Sequence, residues 1–261
     1  MAILAIDIGN RRAKLAIVSV EDEIVHRLHF PTAEISANAD RIKNIANDSR
    51  LAGIAIGSSV PSATQELRRI LEDYKSLIVT GDTPTQLSVE YEPKSELGAD
   101  RLSAAVGAFH VYGKALKRNI LVVDAGTAVT ADLVSEGGVF LGGAIFPGDI
   151  IAFSSLAENT ALLKNIEFRP VDTLIGMCTE DCMLVGVRAA IVGTIEHLYK
   201  RYGDIHGEHP FMLLTGASAA WIAPELSVPH MVDPDIVLIG LSAIWTFNHG
   251  NSVNVKTPRT V

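Results

Sequence analysis

One pattern occurs twice in this chain of 261 residues. In each copy an apolar strand ends in an aspartate, Asp7 or Asp124, and a glycine turn leads into a second apolar strand. The two turns differ in length by one residue. This repeat predicts two related halves, each with a hairpin whose turn offers backbone N–H groups to phosphate oxygens. The aspartate beside the turn can hold a cation against those oxygens. We therefore expect a phosphoryl-transfer site, which requires mainly positioning and charge neutralisation.

The periodicity of the whole chain fits a duplicated α/β fold. In the first half we expect strands at residues 3–8, 13–20, 23–30, 53–57 and 76–80, with helices at 39–47 and 63–74. In the second half we expect strands at 119–124, 130–135, 139–145, 211–215 and 228–232, and helices at 99–115, 180–202, 217–223 and 235–247. Three strands, then helix, strand, helix, strand is the order of one half of an actin-like ATPase (ribonuclease H-like) fold. We predict two lobes around a cleft, residues 1–98 and 99–248, followed by a frayed polar tail at 249–261.

Composition excludes several classes of function. The chain is 48% apolar, with a formal net charge of −8. That charge argues against a nucleic-acid-coating surface, and the uninterrupted apolar runs are too short for a membrane span. The N-terminus enters a strand directly, without the pattern of a signal peptide, so we expect a cytoplasmic protein. The chain has two cysteines, Cys178 and Cys182, which we expect to be reduced, packed thiols.

The first turn contains two candidate phosphate-site residues. Asp7 could hold Mg²⁺, through water, for a nucleotide; alternatively, it caps its own loop, as aspartates before glycine turns commonly do. Lys14 could reach a phosphate as a point charge, or it could be an outward-facing strand residue.

A second candidate segment opens the helix expected at residues 99–115. Its sequence is Gly98-Ala99-Asp100-Arg101. Asp100 is most simply a helix cap and Arg101 its ion-pair partner. The alternative is chemical: a carboxylate here can accept a proton from a substrate hydroxyl, and Arg101 can bind a substrate carboxylate through two hydrogen bonds.

These segments, taken in order, resemble the motifs of type III pantothenate kinases, a family that includes Bvg accessory factor homologues. The segments that carry the resemblance are residues 7–10 with Lys14, 98–101, 124–130, 142–148, 176–186 with Thr179, and 214–216. The resemblance covers nearly the whole chain. It implies an actin-like homodimeric enzyme that phosphorylates pantothenate with ATP in the first step of coenzyme A synthesis.

The resemblance also implies a role for individual residues. Asp100 would be the general base, and Asp124 would lie at a monovalent cation, K⁺ or NH₄⁺, that acts beside Mg²⁺. The residues assigned to pantothenate are Tyr91, Gly98, Ala99, Arg101 and Thr179. The residues assigned to ATP are Asp7, Ile8, Gly9, Asn10, Arg11, Arg12, Ala13, Lys14 and Thr127.

The first turn departs from the family pattern. Where the family usually has a threonine after Asp-x-Gly-Asn, this chain has Arg11 followed by Arg12. Two further functions therefore stay open beside the pantothenate kinase: an actin-fold accessory paralogue that binds ligand without efficient turnover, and a kinase of the same fold for another small molecule. The partners expected for the kinase are pantothenate, ATP and a second copy of the chain, with neither nucleic acid nor membrane.

Overall fold

The structure is a computed structural model that describes residues 1–250, apart from the side chain of Lys114. The predicted tail at 249–261 falls almost entirely outside the described residues. His249 itself ends the last helix.

The first five strands form one sheet. They are β1 (Ala2–Ile8), β2 (Arg12–Ser19), β3 (Ile24–Pro31), β4 (Leu51–Ser58) and β5 (Ser76–Ile78), and their order across the sheet is β3-β2-β1-β4-β5. β2 runs antiparallel to β1 and β3, whereas β4 runs parallel to both β1 and β5. The helices α1 (Ala39–Ala46) and α2 (Pro61–Ile70) follow β3 and β4 in the chain.

The remaining strands form a second sheet with the same plan. They are β6 (Ser88–Val89), β7 (Ile120–Ala125), β8 (Ala128–Val134), β9 (Val139–Pro147), β10 (Phe211–Thr215) and β11 (Met231–Val232), in the order β11-β10-β7-β8-β9-β6. The helices are α3 (Ala99–Ala108), α4 (Lys114–Leu116), α5 (Asp149–Glu158), α6 (Thr179–His206), α7 (Ala219–Ile222) and α8 (Ile236–His249). Apart from the added β6, β7 to β11 repeat the order of β1 to β5. This repetition confirms the predicted duplicated fold.

The two glycine turns close with equivalent hydrogen bonds. The N–H of Gly9 donates to the carbonyl of Arg12, and the N–H of Gly126 donates to the carbonyl of Ala128, both at 3.0 Å. The first bond spans three residues and the second spans two. The one-residue difference seen in the sequence is therefore taken up within the turns, while the flanking strands keep matching positions.

The chain forms two compact units. The first contains residues 1–117 and 134–142 and the segment from Asp235 onward, and the second contains residues 118–133 and 143–234. In the first, Leu4 and Ile6 of β1 pack with Ile42 of α1 and Leu67 of α2. Each such buried side chain contributes about 1.5–3 kcal/mol of transfer free energy. These units do not coincide with the predicted lobes, whose boundary at residue 98 stays a prediction.

Helix α6 is central to the core of the second unit. It is long and apolar enough to cross a membrane by length and composition. Of its most apolar stretch, 33% is buried. The buried side chains of the helix join the core with strands β7, β8 and β10: Met183, Leu184, Val187, Ile191, Ile195 and Tyr199. Small residues dominate a stretch of its exposed side, including Gly186, Ala190 and Gly193.

Two elements of the structure differ from the prediction. The helix expected at 99–115 is α3 followed by a π-helical turn, Phe109–Gly113, and the short α4. The ring of Phe109 lies where a side chain on Gly113 or Gly138 would collide with it. The change from α-helix to π-helix begins at Phe109, the residue whose ring packs against these two glycines. Strand β6 was missed because its two residues carry no alternation.

Candidate functional site

Asp7 lies at the carboxyl end of β1, in a row of side chains that crosses the first sheet. It is in register with Lys14 of β2 and with Gly57 of β4. Residues paired in this way project from the same face of a sheet. A β-carbon built on Gly57 would lie 3.7 Å from that of Ala99. Asp7 and Lys14 therefore share the sheet face on which α3 begins.

The loop after Asp7 exposes only part of its predicted ATP-binding residues. Ile8 and Ala13 are buried in the core of the first unit, so they can offer only backbone atoms. Asn10, Arg11 and Arg12 are exposed. The Arg11 guanidinium makes no hydrogen bond or ion pair within residues 1–250. The loop therefore presents two exposed cations, Arg11 and Arg12.

The start of α3 holds the predicted base. The Asp100 carboxylate accepts a hydrogen bond from the Arg101 N–H at 2.8 Å, and Asp100 is half-buried. Gly98 precedes the helix at its N-cap position. Any side chain on Gly98 would collide with the Asp100 carboxylate, which explains the need for glycine there. Because Gly98 holds the N-cap position, Asp100 is not the N-cap residue of α3. One of its oxygens accepts the Arg101 N–H in the first turn, and the other is available for chemistry.

Arg101 packs against two aromatic rings. Its guanidinium carbon lies 5.2 Å from the ring centre of Tyr91 and 5.8 Å from that of Phe140. Its terminal nitrogen donates to the Tyr91 hydroxyl at 3.2 Å, and the residue is only 6% exposed. The two rings contact each other edge to face. Arg101 is thus held in one orientation by cation–π contacts and a hydrogen bond.

In the second unit, Asp124 ends β7 beside a glycine in the left-handed region. Gly216 has φ of +94°, and any side chain there would collide with the Asp124 carboxylate and the Ala125 carbonyl. The N–H of Ser218 donates to that carbonyl at 2.8 Å. A carboxylate and a backbone carbonyl thus lie on one side of the turn. Oxygen donors of this kind suit a hard cation, so the donor set fits the cation that the resemblance implies.

The turn that carries Thr127 is packed against the segment leading into α5. The N–H of Gly148 donates to the Thr127 carbonyl at 3.2 Å. Asp149, 7% exposed, accepts a hydrogen bond from the Ser218 hydroxyl at 3.3 Å. Three turns, after β7, β9 and β10, therefore meet around Asp124 and Thr127.

Thr179 begins α6 and is exposed. The preceding residue, Cys178, caps the helix through its sulfur, which accepts from the Asp181 N–H. Arg169 forms ion pairs with Glu180 and Asp181, and these hydrogen bonds lower the pKa of Asp181 and raise that of Arg169. Both cysteines are free, as expected, but they are exposed rather than packed.

A buried carboxylate lies elsewhere in the second unit. Asp132 of β8 is 2% exposed. Burial, together with the charge of Asp132, raises the pKa of Tyr202 on α6. Neither residue adjoins the three turns in sequence, and we assign this pair to the core.

The structure gathers most of the predicted residues into two groups, one in each unit. The first group is Asp7, the loop to Lys14, Tyr91, Gly98, Ala99, Asp100 and Arg101. The second group is Asp124 and Thr127, whereas Thr179 is exposed at the start of α6. Within residues 1–250, no cluster of three or more histidine, cysteine, aspartate or glutamate side chains could hold a metal.

Sequence reasoning missed four residues of these groups: Thr32, Phe140, Asp149 and Ser218. Phe140 gave no signal, because a buried aromatic in a strand is ordinary core. Asp149 could have been noticed, since it follows the Pro147-Gly148 turn and opens a helix, where a carboxylate complements the helix dipole.

Comparison with solved structures defines the class of protein. A protein from Campylobacter jejuni, described as a candidate Baf family transcriptional activator, matches with a TM-score of 0.61 and 19% identity over 94% of this chain and 98% of that one. The ROK hexokinase from Thermus thermophilus matches with a TM-score of 0.55 and 11% identity over 94% and 97%. At these identities the likeness shows the fold alone: this is a protein of the actin-like kinase fold.

Sequence comparison identifies the family. The family model for type III pantothenate kinase matches residues 3–201. Proteins of that name from Frankia alni and from Geobacillus sp. strain WCH70 are 30% and 33% identical, over 94% of this chain and 99% and 98% of theirs. The chain belongs to the type III pantothenate kinase family. The resemblance noted from the motifs is confirmed, and the protein is a kinase.

Proposed function

We propose that this chain transfers the γ-phosphoryl group of ATP to the primary hydroxyl of pantothenate, giving 4′-phosphopantothenate and ADP at the start of coenzyme A biosynthesis. Family membership supports the reaction. The main structural support for the site is the start of α3, where Asp100 is followed by Arg101, whose guanidinium is held by Tyr91. That arrangement suits a substrate with a hydroxyl at one end and a carboxylate at the other.

Asp100 acts as the general base in this proposal. It accepts the proton of the pantothenate hydroxyl while that oxygen forms a bond to the γ-phosphorus, and the bond to the β–γ bridging oxygen breaks to release ADP. Arg101 binds the pantothenate carboxylate. A guanidinium has five N–H donors, so it can serve both Tyr91 and a carboxylate. Fixing it in advance lowers the entropy cost of binding. Thr179 contributes a further hydroxyl to the pantothenate site.

The turn of the first unit receives the phosphates. Backbone amides near Gly9 bind the phosphate oxygens of ATP. The positive charges of Arg11, Arg12 and Lys14 offset the negative charge of its three phosphates. A divalent cation, held by Asp7, neutralises the β- and γ-phosphate oxygens when it is bound. The family resemblance assigns Thr127 to the ATP phosphates and Asp124 to a monovalent cation.

A monovalent cation at Asp124 belongs to the same proposal. A carboxylate beside polyphosphate would repel it, and a K⁺ or NH₄⁺ ion between them removes that repulsion. The Ala125 carbonyl and the constraint from Gly216 support this position.

We also propose a homodimer in the cytoplasm, where ATP and pantothenate are available to a kinase. The support is the exposed side of α6, with Gly186, Ala190 and Gly193, together with apolar side chains just before the helix. Leu174, Ile175 and Met177 are each more than 70% exposed. An apolar, small-residue surface of this kind suits close packing against a second copy.

One assay tests the reaction. Purified protein is given ATP, Mg²⁺ and K⁺ with and without pantothenate, ADP release is followed by a coupled assay, and the product is identified by mass spectrometry. Pantothenate-dependent ADP release with 4′-phosphopantothenate formed supports the proposal. Binding of both substrates by calorimetry without any turnover would instead establish the accessory paralogue, and turnover with another alcohol alone would establish a different kinase.

A further inference from the structure

A loop that binds phosphate must turn its N–H groups, and not its carbonyl oxygens, toward the ligand. A two-residue turn such as Asn10-Arg11 can adopt several conformations, and some of them present carbonyls. Something outside the turn must therefore select one conformation. The structure contains such a group in Thr32, a residue that the proposed reaction does not yet use.

Thr32 bonds to the loop at two points. Its N–H donates to the carbonyl of Arg11 at 3.0 Å, which continues the pairing of β2 with β3. Its hydroxyl donates to the carbonyl of Gly9 at 2.6 Å. The second bond is not part of any strand ladder: it reaches from the end of β3 past β2 to the end of β1. A hydroxyl bond of this length is at the short end of the usual range.

The bond to Gly9 has a geometric consequence. In a trans peptide the C=O of one residue and the N–H of the next point in opposite directions. Because the Gly9 carbonyl points to Thr32, the Asn10 N–H points away from it. The Thr32 hydroxyl therefore fixes which side of the turn carries an amide donor.

Thr32 is much more buried than the loop to which it bonds. Thr32 is only 9% exposed, and it follows Pro31, whose ring restricts the backbone that leads into it. Asn10, Arg11 and Arg12 are exposed. A buried residue thus holds an exposed loop.

We propose that Thr32 is a positioning residue for nucleotide binding: its hydroxyl holds the Gly9 carbonyl away from the phosphates and so presents the Asn10 amide to them. This inference rests on the proposed placement of ATP at the first turn. Thr32 itself does not touch ATP. Its effect should appear in nucleotide affinity and not in pantothenate affinity.

Substitutions at Thr32 test the inference. Thr32→Val keeps the branched shape and the backbone N–H but removes the hydroxyl, and Thr32→Ala provides a second hydroxyl deletion if valine disturbs folding. Thr32→Ser restores the hydroxyl. Thr64→Val is the matched control, because the Thr64 hydroxyl bonds within α2, to the Val60 carbonyl. Each variant is measured for ADP affinity by calorimetry, for both KM values and for melting temperature.

We expect the valine and alanine variants to weaken ADP binding and raise the ATP KM about three- to tenfold, the range for one lost hydrogen bond. The pantothenate KM should stay within about twofold, and the serine variant and Thr64→Val should match the wild type. The inference is overturned if serine fails to restore affinity, or if the hydroxyl deletions lower only the melting temperature. Calorimetry of ADP binding tests the role of Thr32 independently of the proposed reaction. If the wild-type protein binds ADP but does not phosphorylate pantothenate, the reaction is refuted, and the ADP affinities of the Thr32 variants still decide the inference.

Discussion

The guanidinium of Arg101 lies over the ring of Tyr91, 5.2 Å from its centre, and donates a hydrogen bond to the hydroxyl of the same residue at 3.2 Å. Two residues ten positions apart are thereby joined, one from the polar segment before α3 and one from the helix itself. Because Arg101 is buried in this orientation, the entropy cost of fixing its side chain arises when the protein folds and not when substrate binds.

Replacing Tyr91 by phenylalanine separates these two contacts. The ring stays, so the cation–π contact is retained, but the Arg101 donor loses its acceptor. Bonds to charged groups are worth roughly 1.5–3 kcal/mol. We expect the pantothenate KM to rise about tenfold or more, with the ATP KM unchanged. Tyr74→Phe is the control, since it also loses a hydroxyl bond, to Asn47 at 2.8 Å. Equal effects on both substrates would contradict a role in the pantothenate site.

The role of Asp100 can be tested without removing its hydrogen bond from the Arg101 N–H. Asn at position 100 keeps an oxygen that can accept the Arg101 N–H but cannot accept a proton from substrate. A general base contributes roughly 100- to 10,000-fold to rate, so we expect Asp100→Asn to lower kcat by that range while leaving the melting temperature near that of the wild type. Glu96→Gln, an exposed acid just before α3, is the control. Near-normal turnover in Asp100→Asn would show that Asp100 has only a structural role at the start of α3.

The fold could be predicted from the sequence because the patterns that mark its strands and turns are local and occur twice. Asp7 and Asp124 end strands that alternate clearly, and the glycine turns after them mark both hairpins. The one-residue difference between the turns was readable before the structure and reappears in the bonds of Gly9 and Gly126. Elements without periodicity were missed: the two residues of β6 pair with β9, which no local pattern reveals.

The site was predicted less completely than the fold. The motifs pointed to Tyr91, Asp100 and Arg101 as candidates, but one of the two rings that the Arg101 guanidinium contacts is Phe140, which is distant in sequence. Thr32 is similar: its hydroxyl reaches Gly9 across 23 positions. Such residues are defined by tertiary neighbours, and a single sequence carries no record of them.

Dependence on a monovalent cation should be lost when Asp124 is replaced. With the wild type we expect activity in potassium or ammonium buffers to exceed that in lithium or sodium, because the ion offsets repulsion between the carboxylate and phosphate. Asp124→Ala should have low activity in all four. Asp172→Asn removes an exposed acid of the same unit and should keep the wild-type response. Equal wild-type rates in all four buffers would argue against the cation site.

Arg11, which replaces the usual threonine of the family, should contribute to nucleotide affinity. Its guanidinium is exposed and makes no bond within residues 1–250, so it is available to a phosphate. We expect Arg11→Thr to raise the ATP KM about tenfold, with little change in the pantothenate KM, because a charge-assisted bond is worth roughly 1.5–3 kcal/mol. The effect should shrink at high salt. Arg68→Thr, in α2, is the control. An unchanged ATP KM would mean that Arg11 points to solvent.

Association into a dimer should depend on the exposed small residues of α6. A β-carbon on Gly186 or Gly193 would meet no atom of the described chain within 4 Å, so this surface has room for a second helix. A charge placed there would remain in water in the monomer but would be buried without a partner in the dimer, at high cost. We therefore expect light scattering to give the wild type a mass of twice the 27.9 kDa of one chain, and Ala190→Glu the mass of one chain.

Pantothenate turnover should also fall when Ala190→Glu abolishes dimerisation, because Thr179, which the family resemblance assigns to pantothenate, begins the same helix. Ala37→Glu, an equally exposed alanine in the first unit, should leave both mass and activity unchanged. Circular dichroism separates loss of association from loss of folding, since glutamate is a good helix former and the α6 signal should persist. A fully active wild type whose mass stays at 27.9 kDa across working concentrations would refute the dimer.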